Sequence, residues 1–148
     1  ASIMEEKYKM QIACSQVDMI LNFYNQELLD MTIPKAVREY IRNNKAQDYQ
    51  FDITPKNFDP EMITEEAACI LLWLFKEYSS TKKQKKIILN WEYPNNVDTS
   101  SANDYLKETK NTNNNANNKM LPMKDVNIFV KLINKIKLIF RRLDKTNE

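Results

Sequence analysis

The stretch that decides the fold runs from Asn57 to Tyr78 and reads NFDPEMITEEAACILLWLFKEY. Asp59 can cap a first helical turn, with Pro60 and Glu61 in favourable N-terminal places. Thr64 can instead cap a second, slightly reoriented helix. The apolar face that follows these helix starts consists of Ile63, Ala67, Ile70, Leu71, Leu74, Phe75 and Tyr78. Trp73 falls beside this face. The stretch predicts the central core helix of a helical domain.

Two amphipathic segments precede that stretch. The longer one, from Glu5 to Leu29, has apolar residues at i, i+3, i+4 and i+7 and predicts a single helix. The next begins at TIPKAVREYI, where Pro34 sits in the first turn and needs no N–H. Its predicted apolar face is Ile33, Val37, Tyr40 and Ile41. Its predicted solvent-facing residues are Lys35, Arg38, Glu39 and Arg42.

Beyond Tyr78 the chain becomes basic and then polar. A lysine cluster from Lys82 to Lys86 precedes a short apolar piece, Ile87 to Trp91, which fits a helix or one strand equally well. Residues 94–119 are rich in asparagine and predict a disordered linker or insertion, since burial there cannot offset the ordering entropy. Residues 120–148 predict a basic amphipathic helix that packs on a helical core of residues 1–93.

The predicted fold class is therefore all-α. We expect a small helical bundle of about four to six helices with a disordered Asn-rich insertion. Cys14 and Cys69 each fall within an apolar helical pattern, which predicts two reduced core thiols. The sequence shows neither a signal-peptide pattern nor an apolar run long enough to cross a membrane, so we expect a cytoplasmic protein.

The composition contains no glycine and no histidine. Phosphate-binding loops, dinucleotide-binding turns and nucleophile elbows, which depend on glycine, are therefore excluded. Without histidine the chain lacks the usual general base at neutral pH and the commonest zinc ligand. Carboxylate and lysine chemistry remain open, but no such residues converge in the sequence. We predict a binding protein that is not an enzyme, with no cofactor and no metal.

Charge is divided unevenly along the chain. Residues 1–78 carry 8 basic and 13 acidic side chains, a net charge of −5, and residues 79–148 carry 14 and 7, a net charge of +7. A basic C-terminal half indicates a polyanionic partner, such as an acidic protein surface, nucleic acid or anionic lipid. A plainer interpretation also fits: the 18 lysines and 18 asparagines are typical of AT-rich coding sequence and of a solvated surface.

Two signatures occur in order: TIPKAVREYI, then the stretch from Asn57 to Tyr78. Together they resemble the microtubule-binding domain at the tip of the dynein heavy-chain stalk, over residues 15–80. In that family an Ile-Pro helix start is followed by a loop, a Phe-x-Pro-Glu helix start, small residues, and then a Trp and a Tyr. The matching positions are Ile33, Pro34, Phe58, Pro60, Glu61, Ala67, Ala68, Trp73 and Tyr78.

That resemblance implies binding to the acidic outer surface of a microtubule, with tubulin as the partner. The cations at matching places are Lys35, Arg38, Arg42, Lys76, Lys82, Lys83, Lys85 and Lys86. Exposed lysine and arginine facing an acidic surface give fast, salt-sensitive and modest binding. The piece ACILLWLFKEY is also similar to the central helix of calponin-homology-type domains, which implies the same partner.

An alternative function rests on the C-terminal segment. A basic amphipathic helix behind a disordered linker is typical of a module that engages a protein groove or an anionic membrane surface. Its candidate contacts are Phe129, Lys131, Lys135, Phe140, Arg141 and Arg142. Nucleic acid is a third and less favoured partner, supported by the lysine cluster near Trp91 and Tyr93.

Overall fold

The computed structural model describes residues 2–54, 56–92, 104–105, 107–108, 131, 134–135 and 138. Across these residues the regular structure is helical and contains no strand, so the all-α prediction is confirmed. Five α-helices lie wholly within residues 2–92 of the described part: α1 (Ile3–Leu21), α2 (Gln26–Thr32), α3 (Lys35–Asn43), α4 (Glu65–Leu74) and α5 (Lys82–Glu92). A 3-10 turn, Pro60–Met62, precedes α4, and a π turn, Phe75–Ser79, follows it.

The single long helix predicted from Glu5 to Leu29 is wrong, because the chain turns between α1 and α2. Asn25 caps α2: its side chain accepts the backbone N–H three residues later at 3.1 Å. The Gln26 side chain folds back to donate to the carbonyl oxygens of Leu21 and Tyr24, at 3.2 and 2.8 Å. These bonds satisfy carbonyl groups that a continuous helix would have paired internally.

Helix α1 lies at the centre of the fold and packs on both α3 and α4. Gln16, on its buried face, joins two distant parts of the chain. Its Nε2 donates to the Tyr49 hydroxyl at 2.8 Å, and its Oε1 accepts the Thr64 N–H at 2.9 Å. The loop after α3 is tied to α1 as well, because the Ala46 N–H donates to the Ser15 hydroxyl at 2.9 Å. One polar side chain thus fixes the start of α4 against α1.

The stretch from Asn57 to Tyr78 forms a turn and a helix with separate caps. Asp59 accepts the Glu61 N–H at 3.0 Å and starts the 3-10 turn. Thr64 accepts the Ala67 N–H at 3.1 Å and starts α4, which confirms the second of the two predicted helix starts. The predicted apolar face of α4 is buried or half-buried, and Trp73 beside it is 42% exposed.

The short apolar piece from Ile87 to Trp91 is helical and belongs to α5. The buried residues of α5 recur at helical spacing and face the rest of the core; they are Gln84, Ile87, Ile88 and Trp91. Opposite them lies Tyr105, a residue within the segment predicted to be a disordered insertion. Tyr105 is fully buried, its ring centroid lies 6.2 Å from that of Trp91, and its carbonyl accepts from Gln84 Nε2 at 3.0 Å.

Residues 104–105 and 107–108 are helical. The rest of residues 94–119, for which the sequence predicts disorder, lies outside the described residues. In the C-terminal segment residues 131, 134–135 and 138 are helical, as expected for that segment. Its other predicted positions also lie outside the described residues.

Both cysteines are free thiols, as predicted. Cys14 is buried in α1 and Cys69 is half-buried on α4. None of the described helices is long and apolar enough to cross a membrane.

Candidate functional site

The four lysines of α5 lie on the side of the helix opposite its buried residues. Lys82, Lys83, Lys85 and Lys86 are all exposed. Leu89, which is 39% exposed, lies on the same side at helical spacing from Lys82 and Lys86. We call these five residues the α5 basic face. The structure therefore brings together the lysine cluster that the sequence singled out.

Two of those lysines form ion pairs with described residues. Lys83 Nζ lies 3.2 Å from a carboxylate oxygen of Glu108, and Lys85 Nζ lies 3.7 Å from one of Glu77. Within the described part of the chain, Lys82 and Lys86 have no such partner. Because their ammonium groups are exposed, they remain free to meet an external anion at low cost in desolvation.

Lys76, also a predicted contact, is held elsewhere. Its Nζ lies 2.7 Å from Glu92 Oε1, and its side chain is 14% exposed while that of Glu92 is 18% exposed. The pair joins the π turn to the last residue of α5. A mostly buried lysine that already has a close carboxylate gains little from a second one, so Lys76 contributes to the fold rather than to the α5 basic face.

The remaining predicted cations lie on α3, and two of them, Arg38 and Arg42, face a buried carboxylate. Asp18 of α1 has a side chain only 6% exposed. Its Oδ1 lies 3.6 Å from Arg38 Nε and 3.5 Å from Arg42 Nε, and its Oδ2 accepts a hydrogen bond from Lys45 Nζ at 3.0 Å. One carboxylate thus faces three cations, a cluster that we call the Asp18 cluster. Lys35 is separate, 91% exposed and 3.8 Å from Glu39.

Arg38 is the buried member of this cluster, with a side chain 6% exposed. Its Nη2 donates to Asn22 Oδ1 at 2.7 Å and to Gln26 Oε1 at 3.3 Å, so the guanidinium fastens the α1–α2 turn to α3. Its Nε and Nη1 have no hydrogen-bond partner among the described residues. Burial, followed by the charge of Arg42, lowers the pKa of Arg38, while Asp18 and Asp30 oppose that shift.

The burial of Arg38 corrects the predicted faces of α3. Tyr40, predicted to lie on the apolar face, is 66% exposed, whereas Arg38 is 5% exposed. The buried side of the helix is therefore rotated towards Arg38 and Ile41. Asp18 explains the rotation, because a carboxylate buried on α1 requires a cation opposite it.

A cavity of about 500 Å³ lies between α2 and α3, next to the Asp18 cluster. Leu29 and Ile33 supply its apolar lining, and Asp30 contributes a carboxylate. From α3 it is lined by Lys35, Arg38, Glu39 and Arg42. No sequence pattern indicated this cavity, because its walls, α2 and α3, come together only in the folded chain.

Two lysines of the C-terminal segment contact the start of the central stretch. Lys131 Nζ lies 3.4 Å from Asp59 Oδ2. Lys135 Nζ donates to the carbonyl oxygens of Pro60 and Ile63, each at 2.7 Å. These contacts favour the interpretation in which the segment packs on the core. The other predicted contacts of this segment, Phe129, Phe140, Arg141 and Arg142, lie outside the described residues.

The described residues include no group of three His, Cys, Asp or Glu side chains able to hold a metal ion. The two thiols are not activated nucleophiles. Burial raises the pKa of Cys14, and burial together with the charges of Glu65, Glu66 and Glu92 raises the pKa of Cys69. A raised thiol pKa lowers the fraction of reactive thiolate at neutral pH.

Fold and site together define a small helical domain with an exposed basic face and a buried charge cluster. Comparison with known proteins gives no match: no family model, curated protein or solved structure is significantly similar to this chain. The resemblance to the dynein stalk-tip domain stays a prediction.

Proposed function

We propose that this chain is a non-enzymatic binding domain that attaches to an acidic protein surface through the α5 basic face. The observation that carries the proposal is the placement of four lysines on one exposed side of α5, two of them without an ion-pair partner among the described residues. The sequence resemblance nominates the outer surface of a microtubule as that partner, and with it a cytoplasmic location.

The ion pairs divide the eight predicted contacts into two groups. Arg38 and Lys76 are largely buried and paired within the fold. Arg42 is half-exposed but faces Asp18, and Lys35 is exposed beside Glu39. The strongest group that remains is the α5 basic face, where Glu77 and Glu108 offset only part of the charge of four lysines.

The expected binding is modest and sensitive to salt. Each exposed ion pair contributes about 0.2–1 kcal/mol, so four lysines together supply at most about 4 kcal/mol, which corresponds to millimolar attachment. Salt at about 0.15 M reduces the screening length to roughly 8 Å and weakens the attraction between exposed charges. Leu89 adds a small apolar contact at the centre of the face.

The test is co-sedimentation of the purified chain with polymerised microtubules at low and at physiological salt. The test variant carries Lys82→Glu and Lys86→Glu, and the control carries Lys7→Glu and Lys56→Glu, two exposed lysines away from α5. Each reversal lowers the net charge by two, so both variants change from +2 to −2. Circular dichroism verifies that each variant remains folded.

We expect the wild type to pellet at low salt, and the α5 variant to bind roughly fivefold to tenfold more weakly than the control. Equal losses in the two variants would show that net charge, and not the α5 basic face, drives attachment. If the wild type stays in the supernatant at low salt, microtubules are not the partner, and acidic proteins of other kinds become the candidates.

A further inference from the structure

The cavity between α2 and α3 combines features that the proposed function does not use. Its volume is about 500 Å³, and none of its lining residues belongs to the α5 basic face. Ligand sites of small molecules and chain ends are typically concave, mostly apolar and provided with a few convergent polar groups. Leu29 and Ile33 are the apolar residues of this lining, and Arg38 and Arg42 are its convergent polar groups.

The buried guanidinium of Arg38 gives an independent indication of an anionic ligand. Its side chain is more than nine-tenths buried, it lines the cavity, and two of its three nitrogens have no hydrogen-bond partner among the described residues. Its nearest carboxylate oxygen, Asp18 Oδ1, lies 3.6 Å from Nε, which is too long for a hydrogen bond. Asp18 Oδ1 also lacks a hydrogen-bond partner and faces Nε as its ion-pair partner, so Nη1 is the donor left with no acceptor among the described residues. Buried donors are nearly always paired in folded proteins, so an unpaired Nη1 on a residue that lines a cavity indicates a missing acceptor.

The local charge indicates that the ligand carries one negative charge. Arg38, Arg42 and Lys45 are balanced by Asp18 and, across the cavity, by Asp30, which leaves one positive charge in excess. Lys35 and Glu39 at the rim form a pair and cancel each other. A dianion such as phosphate would overcompensate this excess and approach two carboxylates, whereas a single carboxylate matches it.

We propose that the α2–α3 cavity binds a carboxylate joined to an apolar group, either the C-terminal end of a peptide with an apolar last residue or a free branched-chain acid. The carboxylate accepts hydrogen bonds from Arg38 Nη1 and from the guanidinium of Arg42, in the fork geometry that arginine offers to carboxylates. The apolar group lies against Leu29 and Ile33. Arg38 Nη1 is buried from solvent, so ligand entry requires the Arg38 guanidinium to move towards the cavity.

Three probes separate the possible sources. They are acetyl-Ala-Ala-Leu with a free C-terminal carboxylate, the same peptide as its C-terminal amide, and 4-methylpentanoate. The readout is the NMR signal of the arginine Nε–H groups in the full chain, which reports directly on Arg38 and Arg42. We expect a saturable shift of both signals with the acid form of the peptide and none with the amide.

A matched pair of variants distinguishes the cavity from general charge. Arg42→Gln and Lys45→Gln each remove one cation from Asp18, but only Arg42 lines the cavity. We expect Arg42→Gln to weaken binding of the acid peptide roughly tenfold, and Lys45→Gln to change it by less than about twofold. Reversal of Lys82 and Lys86 leaves this binding unchanged, so the outcome is separate from that of the microtubule experiment.

Each outcome decides the proposal. Binding of the acid peptide alone supports it with a chain end as the ligand, and equally tight binding of 4-methylpentanoate supports it with a free acid. Absence of arginine shifts at millimolar concentrations of every probe overturns it. Equal binding of the amide, or equal losses in the Arg42 and Lys45 variants, overturns it as well.

Discussion

Replacement of Asp18 by asparagine is expected to be the most damaging single charge change in this protein. The substitution keeps the size of the side chain and removes the negative charge that faces three cations. Arg38 then remains buried, 6% exposed, with no carboxylate at the distance of 3.6 Å that Asp18 provides. Removal of one partner from a buried ion pair costs about 3–5 kcal/mol, because the other charge is left uncompensated away from water.

The same cluster supplies its own graded controls. Arg42 and Lys45 have side chains 51% and 42% exposed, so their attraction to Asp18 is weakened by water. Arg42→Gln and Lys45→Gln should therefore cost about 0.2–1 kcal/mol each. An apolar exchange of both buried partners, Asp18→Leu with Arg38→Met, should recover most of the stability lost in Asp18→Asn, because no unpaired buried charge remains.

Urea denaturation followed by circular dichroism measures this series. With an m-value of about 2 kcal/mol per molar urea, a loss of about 4 kcal/mol lowers the unfolding midpoint by roughly 2 M. The midpoints of the Arg42 and Lys45 variants should fall by roughly 0.5 M or less. If Asp18→Asn lowers the midpoint no more than Lys45→Gln does, the Asp18–Arg38 pair does not hold α1 to α3, and the reasoning is refuted.

Three further results are expected. Asn25→Ala should cost about 1 kcal/mol in urea denaturation, since it removes the cap of α2, whereas Ser2→Ala at the exposed end of α1 should cost less than about 0.5 kcal/mol. Tyr105→Ala, which empties a fully buried site, should cost about 3–5 kcal/mol by the same measurement. Iodoacetamide labelling at pH 8, followed by mass spectrometry, should show slow modification of Cys69 and still slower modification of Cys14. The reason is that both thiol pKa values are raised and Cys14 is buried. Fast labelling of Cys14 would contradict its burial.

Some elements could be predicted because one sequence signal decided them. The face of α4 repeats over three turns, and Thr64 stands directly before two glutamates, so both its type and its start follow from pattern and capping. The lysines of α5 could be placed on one face once that segment was known to be helical. The sequence pattern left helix and strand open there because Gln84, which completes the buried face, is polar. Burial of a polar side chain depends on tertiary contacts and cannot be predicted from local pattern.

Other features could not be predicted from local pattern. The turn between α1 and α2 depends on Gln26, whose side chain both pairs the end of α1 and accepts a hydrogen bond from Arg38 on α3, 12 positions along the chain. The burial of Arg38 itself opposes the general exposure of arginine. A signal did exist: Asp18 lies on the apolar stripe of α1 between Cys14 and Leu21, and a carboxylate at such a position calls for a cation from another element.

Tyr105 was missed for a similar reason. It lies within a segment of asparagine and charged residues, where average composition predicts disorder. Its hydroxyl contacts that of Ser80 at 2.8 Å, and burial raises its pKa to about 12 although the bond to Ser80 opposes that shift. Composition is averaged over a window, whereas burial is decided residue by residue. A single buried aromatic residue such as Tyr105 is therefore not predicted from the composition of the segment around it.

The π turn that follows α4 has a consequence for how this chain can vary. A π turn holds one residue more than a turn of α-helix, and here the carbonyl of Phe75 accepts the hydroxyl groups of both Ser79 and Ser80. Loss of one residue between Phe75 and Ser79 would convert the π turn to an ordinary helical turn while α4 and α5 each keep their own internal bonds. Related chains are therefore expected to differ in length by a single residue at this point and to leave the buried faces on both sides in register.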